Sequence, residues 1–200
     1  MEDVLECYER PYNKDEPVVC VDEKSLQLLE TPRASGRPDR IDYEYKRHGT
    51  RNLFVAVEPK RGRRRVEVTL RRTKQDFARF MDALVMGTYR RAKKVHVVLD
   101  NLNTHNDEAL IAGLGERRAK RLLERIEWHH TPKHASWLNA VEGEIGILDR
   151  QCLKRRIGTE EKLKDEVTAW LERRNAERTP IIWTFTRASA RETFPTLYKL

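Results

Sequence analysis

Three acidic residues stand where apolar segments of this chain end. Asp22 closes the run Val18, Val19, Cys20, Val21; Asp100 closes Val95, His96, Val97, Val98, Leu99; Glu142 follows Trp137, Leu138, Asn139, Ala140, Val141. A short Val-rich run reads as a buried strand, and a carboxylate at its C-terminal end emerges at the sheet edge where ligands of open α/β folds bind. Two such strands can lie side by side. If a helix carrying Glu142 packs against them, three oxygen-donor side chains converge, a set suited to a hard divalent cation such as Mg²⁺. Taken singly, each is ordinary, because the chain holds 32 Asp and Glu and most such residues are solvated surface groups. Glu23 competes with Asp22, but alternation along a strand lets only one of them face the site. Lys24 would share the Asp22 side, where it could pair with a carboxylate or with phosphate, although a solvated lysine is the expectation.

The elements that must position these groups follow from periodicity. Residues 2–10 form a short helix with Val4, Leu5 and Tyr8 on one side, stopped by Pro11. A strand over 17–22 leads into a polar loop, and residues 29–40, with Pro32, Gly36 and Pro38, read as a mobile loop. Strands over 52–57 and 66–70, joined by the turn 59–62, make a basic hairpin beside the first acidic strand. Phe77, Phe80, Met81, Leu84 and Val85 recur at helical spacing over 75–89. The second acidic strand, 95–100, precedes a helical region over 107–125 interrupted by Gly113 and Gly115, then a short strand over 126–130. Ser136 reads as the N-cap of the next helix, whose stripe is Leu138, Val141, Ile145, Leu148 and Cys152. Glu142 borders that stripe near the helix start, whereas Glu144 lies about 200° round the helix from it and is the weaker ligand candidate. A last long helix spans 160–177.

Charge points to a polyanion. Forty Lys and Arg against 32 Asp and Glu give a net charge of +8, and the pI is near 9.5, which favours nucleic acid. Residues 60–74 hold eight basic residues and one acidic. Lys60, Arg61, Arg63, Arg64, Arg65, Arg71 and Arg72 from that stretch, together with Lys133, are the candidate phosphate contacts. The odd set Cys7, Cys20 and Cys152 lacks metal-ligand spacing and suits a reducing cytosol. His129, His130 and His134 raise zinc as an alternative, but no cysteine or fourth histidine is spaced in sequence to close a tetrahedral site. With no signal peptide and no apolar stretch long enough to span a membrane, the chain reads as a soluble cytoplasmic protein.

The segments Cys20-Val21-Asp22-Glu23-Lys24, Asp42-Tyr43-Glu44-Tyr45-Lys46-Arg47-His48-Gly49-Thr50, Leu99-Asp100-Asn101-Leu102-Asn103-Thr104-His105 and His130-Thr131-Pro132-Lys133-His134-Ala135-Ser136-Trp137-Leu138-Asn139-Ala140-Val141-Glu142 resemble the catalytic domain of IS630-family transposases, in the wider Tc1/mariner group. The resemblance implies an α/β, RNase H-like fold, a central mixed β-sheet flanked by helices, and a DDE metal site made of Asp22, Asp100 and Glu142. It implies Mg²⁺ or Mn²⁺, two ions, and a reaction that cuts transposon ends and joins the freed 3′-hydroxyl to target DNA. Asn101, His105 and Asn139 would support the site, His105 by hydrogen bonding. Trp137 would be a packing anchor, with stacking on an unpaired base as its other reading. The implied partners are transposon-end and target DNA, a second copy of the chain on DNA, and a separate recognition module; in a prokaryote the protein would be nucleoid-associated. Members of the family place a helix-turn-helix region ahead of the catalytic domain, and Asp22 is too near Met1 to leave room for it. The expectation is therefore a single catalytic domain over residues 1–200 without that region. The interval from Asp100 to Glu142 is longer than is typical, the extra length falling around residues 113–125. A remnant that binds DNA without transposing, and a generic RNase H-like nuclease, are the competing readings.

Overall fold

The computed structural model describes residues 1–31, 45–102 and 105–195. The part of the expected mobile loop beyond residue 31, and motif residues 42–44, 103 and 104, lie outside them.

Five strands form one sheet: β1 (Val18–Glu30), β2 (Lys46–Glu58), β3 (Arg63–Thr69), β4 (Val95–Leu99) and β5 (Ile126–His130), in the order β3-β2-β1-β4-β5. β1, β2 and β3 pair antiparallel, while β4 pairs parallel with β1 and β5 parallel with β4. The sheet is thus mixed, as expected. Alternation along the strands splits the core in two. Cys20, Leu53, Val55, Val57 and Val98 face one helical layer, α1 (Glu2–Glu9), α5 (Val141–Leu148), α6 (Glu160–Glu177) and α7 (Arg187–Thr193). Val19, Val21, Phe54, Ala56, Val97 and Leu99 face the other, α2 (Lys74–Asp82), α3 (Asp107–Leu114) and α4 (Glu116–Leu123). Burying Phe54, Phe77 and Phe80 in that second layer contributes about 1.5–3 kcal/mol each.

Local signals explain several boundaries. Thr73 starts α2 with a capping box: its hydroxyl accepts from the Asp76 N–H, and the Asp76 carboxylate accepts from the Thr73 N–H. Gly115, at φ 77°, separates α3 from α4. Gly113 remains inside α3 because a Cβ there would lie 2.3 Å from the Ala78 Cβ on α2.

Among the expectations that fail, two bear on how the site is framed. The first strand does not stop at residue 22 but runs to Glu30. Ser25 and Gln27 on its outward side are polar, which disguises it, while Leu26 and Leu28 continue the inward row over the α6 layer. Rows 26–30 of β1 pair with residues 46–51 of β2 after β3 and β4 have ended, so a two-stranded arm projects past the sheet. It is tied down by the Leu29 N–H to the Ile157 carbonyl at 2.9 Å and by Arg51 to Glu160 at 2.5 Å. Second, Ser136 does not cap α5. Ser136–Leu138 is a separate 3₁₀ turn, Asn139 is extended, and the helix starts at Val141.

Candidate active site

Val18, Val19 and Cys20 pair with His96, Val97 and Val98. The same offset carried two residues further sets Asp22, inside β1, beside Asp100, just past the C-terminal end of the parallel strand β4. Both lie on the face of Cys20 and Val98, the face that α5 covers through Val141, Ile145 and Leu148. Glu142, in the first turn of α5, is exposed above them.

Asp22 is 9% exposed, and its Oδ1 accepts from the Glu23 N–H at 2.7 Å. Burial pushes its carboxyl up to about 7; the Glu23 N–H pulls it down, and the charges of Asp100 and Glu142 raise it further. The three carboxylates therefore share one electrostatic neighbourhood. They stand wider than a single-ion cage: among the described residues, the group whose ligand atoms all lie within 4.8 Å of one another is Cys7, His96 and His129.

His105 is a strut. Its Nδ1 meets Asp100 Oδ1 at 2.5 Å and its Nε2 meets Glu23 Oε1 at 3.0 Å, with no exposed side-chain surface. Burial disfavours the imidazolium, but the hydrogen bonds to Asp100 and Glu23 outweigh it and raise the ring to about 9. Glu23, on the opposite face of β1 from Asp22, is thus not a rival ligand but the far anchor of this strut. Asn101 is exposed. Asn139 donates from Nδ2 to the Val21 carbonyl at 2.9 Å, fastening the approach to α5 directly beside Asp22. Lys24, expected to be solvated, is a quarter exposed and pairs with Asp149 at 3.0 Å.

Two positioning groups escape sequence reading. The Tyr8 hydroxyl donates to the Leu138 carbonyl at 2.8 Å and accepts from the Ala140 N–H at 3.1 Å, so α1 helps to set the segment that launches α5. Glu144 is fully buried and clasped by Arg64 at 2.8 and 3.0 Å and by Arg174 at 3.2 Å. That clasp locks the rotation of α5 and leaves Glu142 on the open side. Trp137, expected to anchor packing, is 47% exposed and meets Phe185 edge-on.

The basic run does not act as one patch. Arg64 is a correction: its guanidinium is buried, bonded to Glu144 and to the Gly62 and Thr179 carbonyls, so it cannot meet DNA. Arg65 lies over Phe80 and pairs with Glu67 at 3.2 Å. Lys60 donates to the Arg10 carbonyl. Arg61 and Arg63 line a 390 Å³ cleft with Arg178. They sit at the hairpin turn, about 10 Å along the strand direction from the Asp22 row, where Asp22 pairs with Val55 and Val55 with Val66. Arg71 and Arg72 emerge at the acidic end instead, Arg72 reaching Glu23 at 3.9 Å; Lys133 is exposed. No helix among the described residues is long and apolar enough to cross a membrane.

Comparison with solved structures places this architecture. The Mos1 mariner paired-end complex with Mn matches with a TM-score of 0.55 at 15% identity, over 89% of this chain and 56% of that one. The Mos1 strand transfer complex matches with a TM-score of 0.56 at 15% identity, over 90% and 56%. The present chain therefore spans little more than half the length of those it resembles, and the likeness shows the fold, which is RNase H-like. No curated protein sequence matches. The model of the family described as DDE superfamily endonuclease matches residues 17–164, from the start of β1 into α6 and across all three acidic positions. By that match the chain belongs to the DDE superfamily endonucleases.

Proposed function

We propose that the chain is the catalytic domain of a transposase of the IS630 family, cleaving transposon ends and joining 3′-hydroxyl ends to target DNA. The observation that carries this reading is the placement of Asp22 and Asp100 side by side on parallel strands, with Glu142 presented over them by α5. The donor set fits the implied metal: three carboxylates, all oxygen, with the charges of Asp100 and Glu142 felt at Asp22, suit Mg²⁺ or Mn²⁺. Asp22, Asp100 and Glu142 would hold it. When bound, a pair of such ions supplies activation of water or a 3′-hydroxyl and neutralises charge on the leaving oxygen.

The chain's own residues prepare that chemistry. Asp22 is rigid, held by the Glu23 N–H and by its place inside the sheet. Asp100, at the start of a loop, owes its position to the His105 strut. Asn139 and Tyr8 hold the turn before α5, and the Arg64–Glu144–Arg174 clasp fixes its rotation. Arg71, Arg72 and Lys133 would guide phosphate toward the acidic end. DNA is the proposed partner, with recognition of transposon ends supplied by a helix-turn-helix module on a longer chain or a second polypeptide.

The test measures nicking and binding in parallel on transposon-end DNA, using the chain fused to such a module. Mg²⁺- or Mn²⁺-dependent nicking is expected, and Asp22→Asn should abolish it while DNA affinity without metal is kept. Equal activity in the Asp22→Asn protein would sink the mechanism. Binding without cleavage in the unaltered fusion would point to a DNA-binding remnant.

A further inference from the structure

On the same face as Asp100, but four residues back along β4, His96 points toward α1. His129 on β5 and Cys7 on α1 meet it there, and all three are buried, at 4%, 3% and 1% exposed. Nδ1 of His96 is 3.0 Å from Nε2 of His129. Oε1 of Glu127 stands 3.7 Å from the first and 3.8 Å from the second, and the Cys7 sulfur lies within 4.8 Å of both rings' ligand atoms. In a tetrahedral zinc site, with metal–nitrogen distances near 2.0 Å and metal–sulfur near 2.3 Å, neighbouring ligand atoms are about 3.3–3.6 Å apart. We infer that Cys7, His96 and His129 form a structural zinc site that staples α1 to β4 and β5, with Glu127, which is 41% exposed and outside the 4.8 Å group, swinging in to supply the fourth ligand.

Four features support the assignment. The donors are nitrogen, sulfur and one carboxylate, which select zinc over the harder ions of the acidic trio. A thiolate and a carboxylate neutralise the dication, so the interior gains no net charge. The Asp3 carboxylate accepts from His129 Nδ1 at 2.9 Å; this fixes the tautomer and aims the Nε2 lone pair inward, the arrangement by which carboxylates orient metal-binding histidines. His96 also borders a 180 Å³ cleft lined by Arg10, Tyr12, Glu16, Glu58 and Lys60, which gives an ion a way in.

Arg10 is the counterweight. Its Nη1 sits 3.2 and 3.4 Å from the His96 nitrogens, and a cation entering there would turn the guanidinium toward Glu6, already 3.3 Å from its Nη2. Without metal the same atoms close a chain of hydrogen bonds from Asp3 through His129 and His96 to Arg10. The two arrangements differ in what the protein retains.

The test uses the full chain carrying Asp22→Asn and Asp100→Asn, so that the acidic site cannot contribute. After loading with Zn²⁺ or Co²⁺ and dialysis, one equivalent should remain. The cobalt form should show tetrahedral d–d bands and a thiolate-to-metal charge-transfer band, and chelation should lower the melting temperature by several degrees. Cys7→Ser should lose the charge-transfer band; His129→Asn should lose the retained equivalent. No retained metal, or a cobalt spectrum without the thiolate band in the parent chain, would overturn the site in favour of the hydrogen-bonded chain, whether or not either variant folds.

Discussion

Glu142 and Glu144 are two residues apart on one helix, and their replacement by alanine should separate catalysis from stability. Glu144 has no exposed side-chain surface, and its principal partner Arg64 keeps 1%. Glu144→Ala removes the counter-charge of Arg64 and Arg174, leaving Arg64 with the Gly62 and Thr179 carbonyls. Breaking a buried pair from one side costs about 3–5 kcal/mol. At about 2–4 °C per kcal/mol for a chain of this length, the melting temperature should fall by about 6–20 °C. Glu142 is exposed, so Glu142→Ala should change stability by no more than about 0.5 kcal/mol. That variant should nevertheless lose metal-dependent nicking. Thermal unfolding followed by circular dichroism, with nicking assayed well below either transition, measures both quantities. A stable Glu144→Ala protein with no activity, beside an active Glu142→Ala protein, would show that the wrong glutamate has been placed in the site.

Three further outcomes are expected. His105 titrates near 9 in the fold against 6.5 in the open chain, so its contribution to stability is full below about pH 6.5 and disappears as pH rises toward 9; His105→Gln should flatten stability over that window, and an unchanged slope would contradict the strut. Arg71→Ala with Arg72→Ala should reduce the slope of log affinity for DNA against log salt by about 2, whereas no change would remove both from the DNA path. Gly113→Ala should cost about 1–3 kcal/mol in denaturant unfolding, because α2 and α3 must separate to admit the methyl; a neutral result would mean that the helices part freely.

What the chain reveals by reading alone follows its local chemistry. Asp22 and Asp100 are legible because each ends a Val-rich run, and parallel pairing of two buried strands brings such ends together. Glu142 was separable from Glu144 by helical angle, although the reason Glu144 is unavailable lies in Arg64 and Arg174, which no local pattern connects to it. The inward turn of Arg64 is hidden for the same cause. Within 61–65 it is one basic residue among several, and only strand alternation against α5 and α6 turns it inward. β1 reads as short because its last eight residues mix polar and apolar positions, and Leu28 is buried against Ile157 and Leu163, far along the chain. The Cys7, His96 and His129 cluster is invisible in sequence because its members are separated by whole elements and meet only when α1 lies across β4 and β5.

The β1–β2 arm adds a mechanical constraint. Residues 26–30 and 46–51 overhang the rest of the sheet by about 17 Å at the strand rise, starting four residues beyond Asp22, and a free ribbon of that length would flex. This one is a propped cantilever: Leu28 is sunk in the same core as Ile157 and Leu163, and Arg51 is moored to the first turn of α6. If the chain acts on DNA as proposed, a duplex arriving at the acidic end meets a propped wall on that side, and the bending or unpairing that brings a phosphate to Asp22 falls to the DNA.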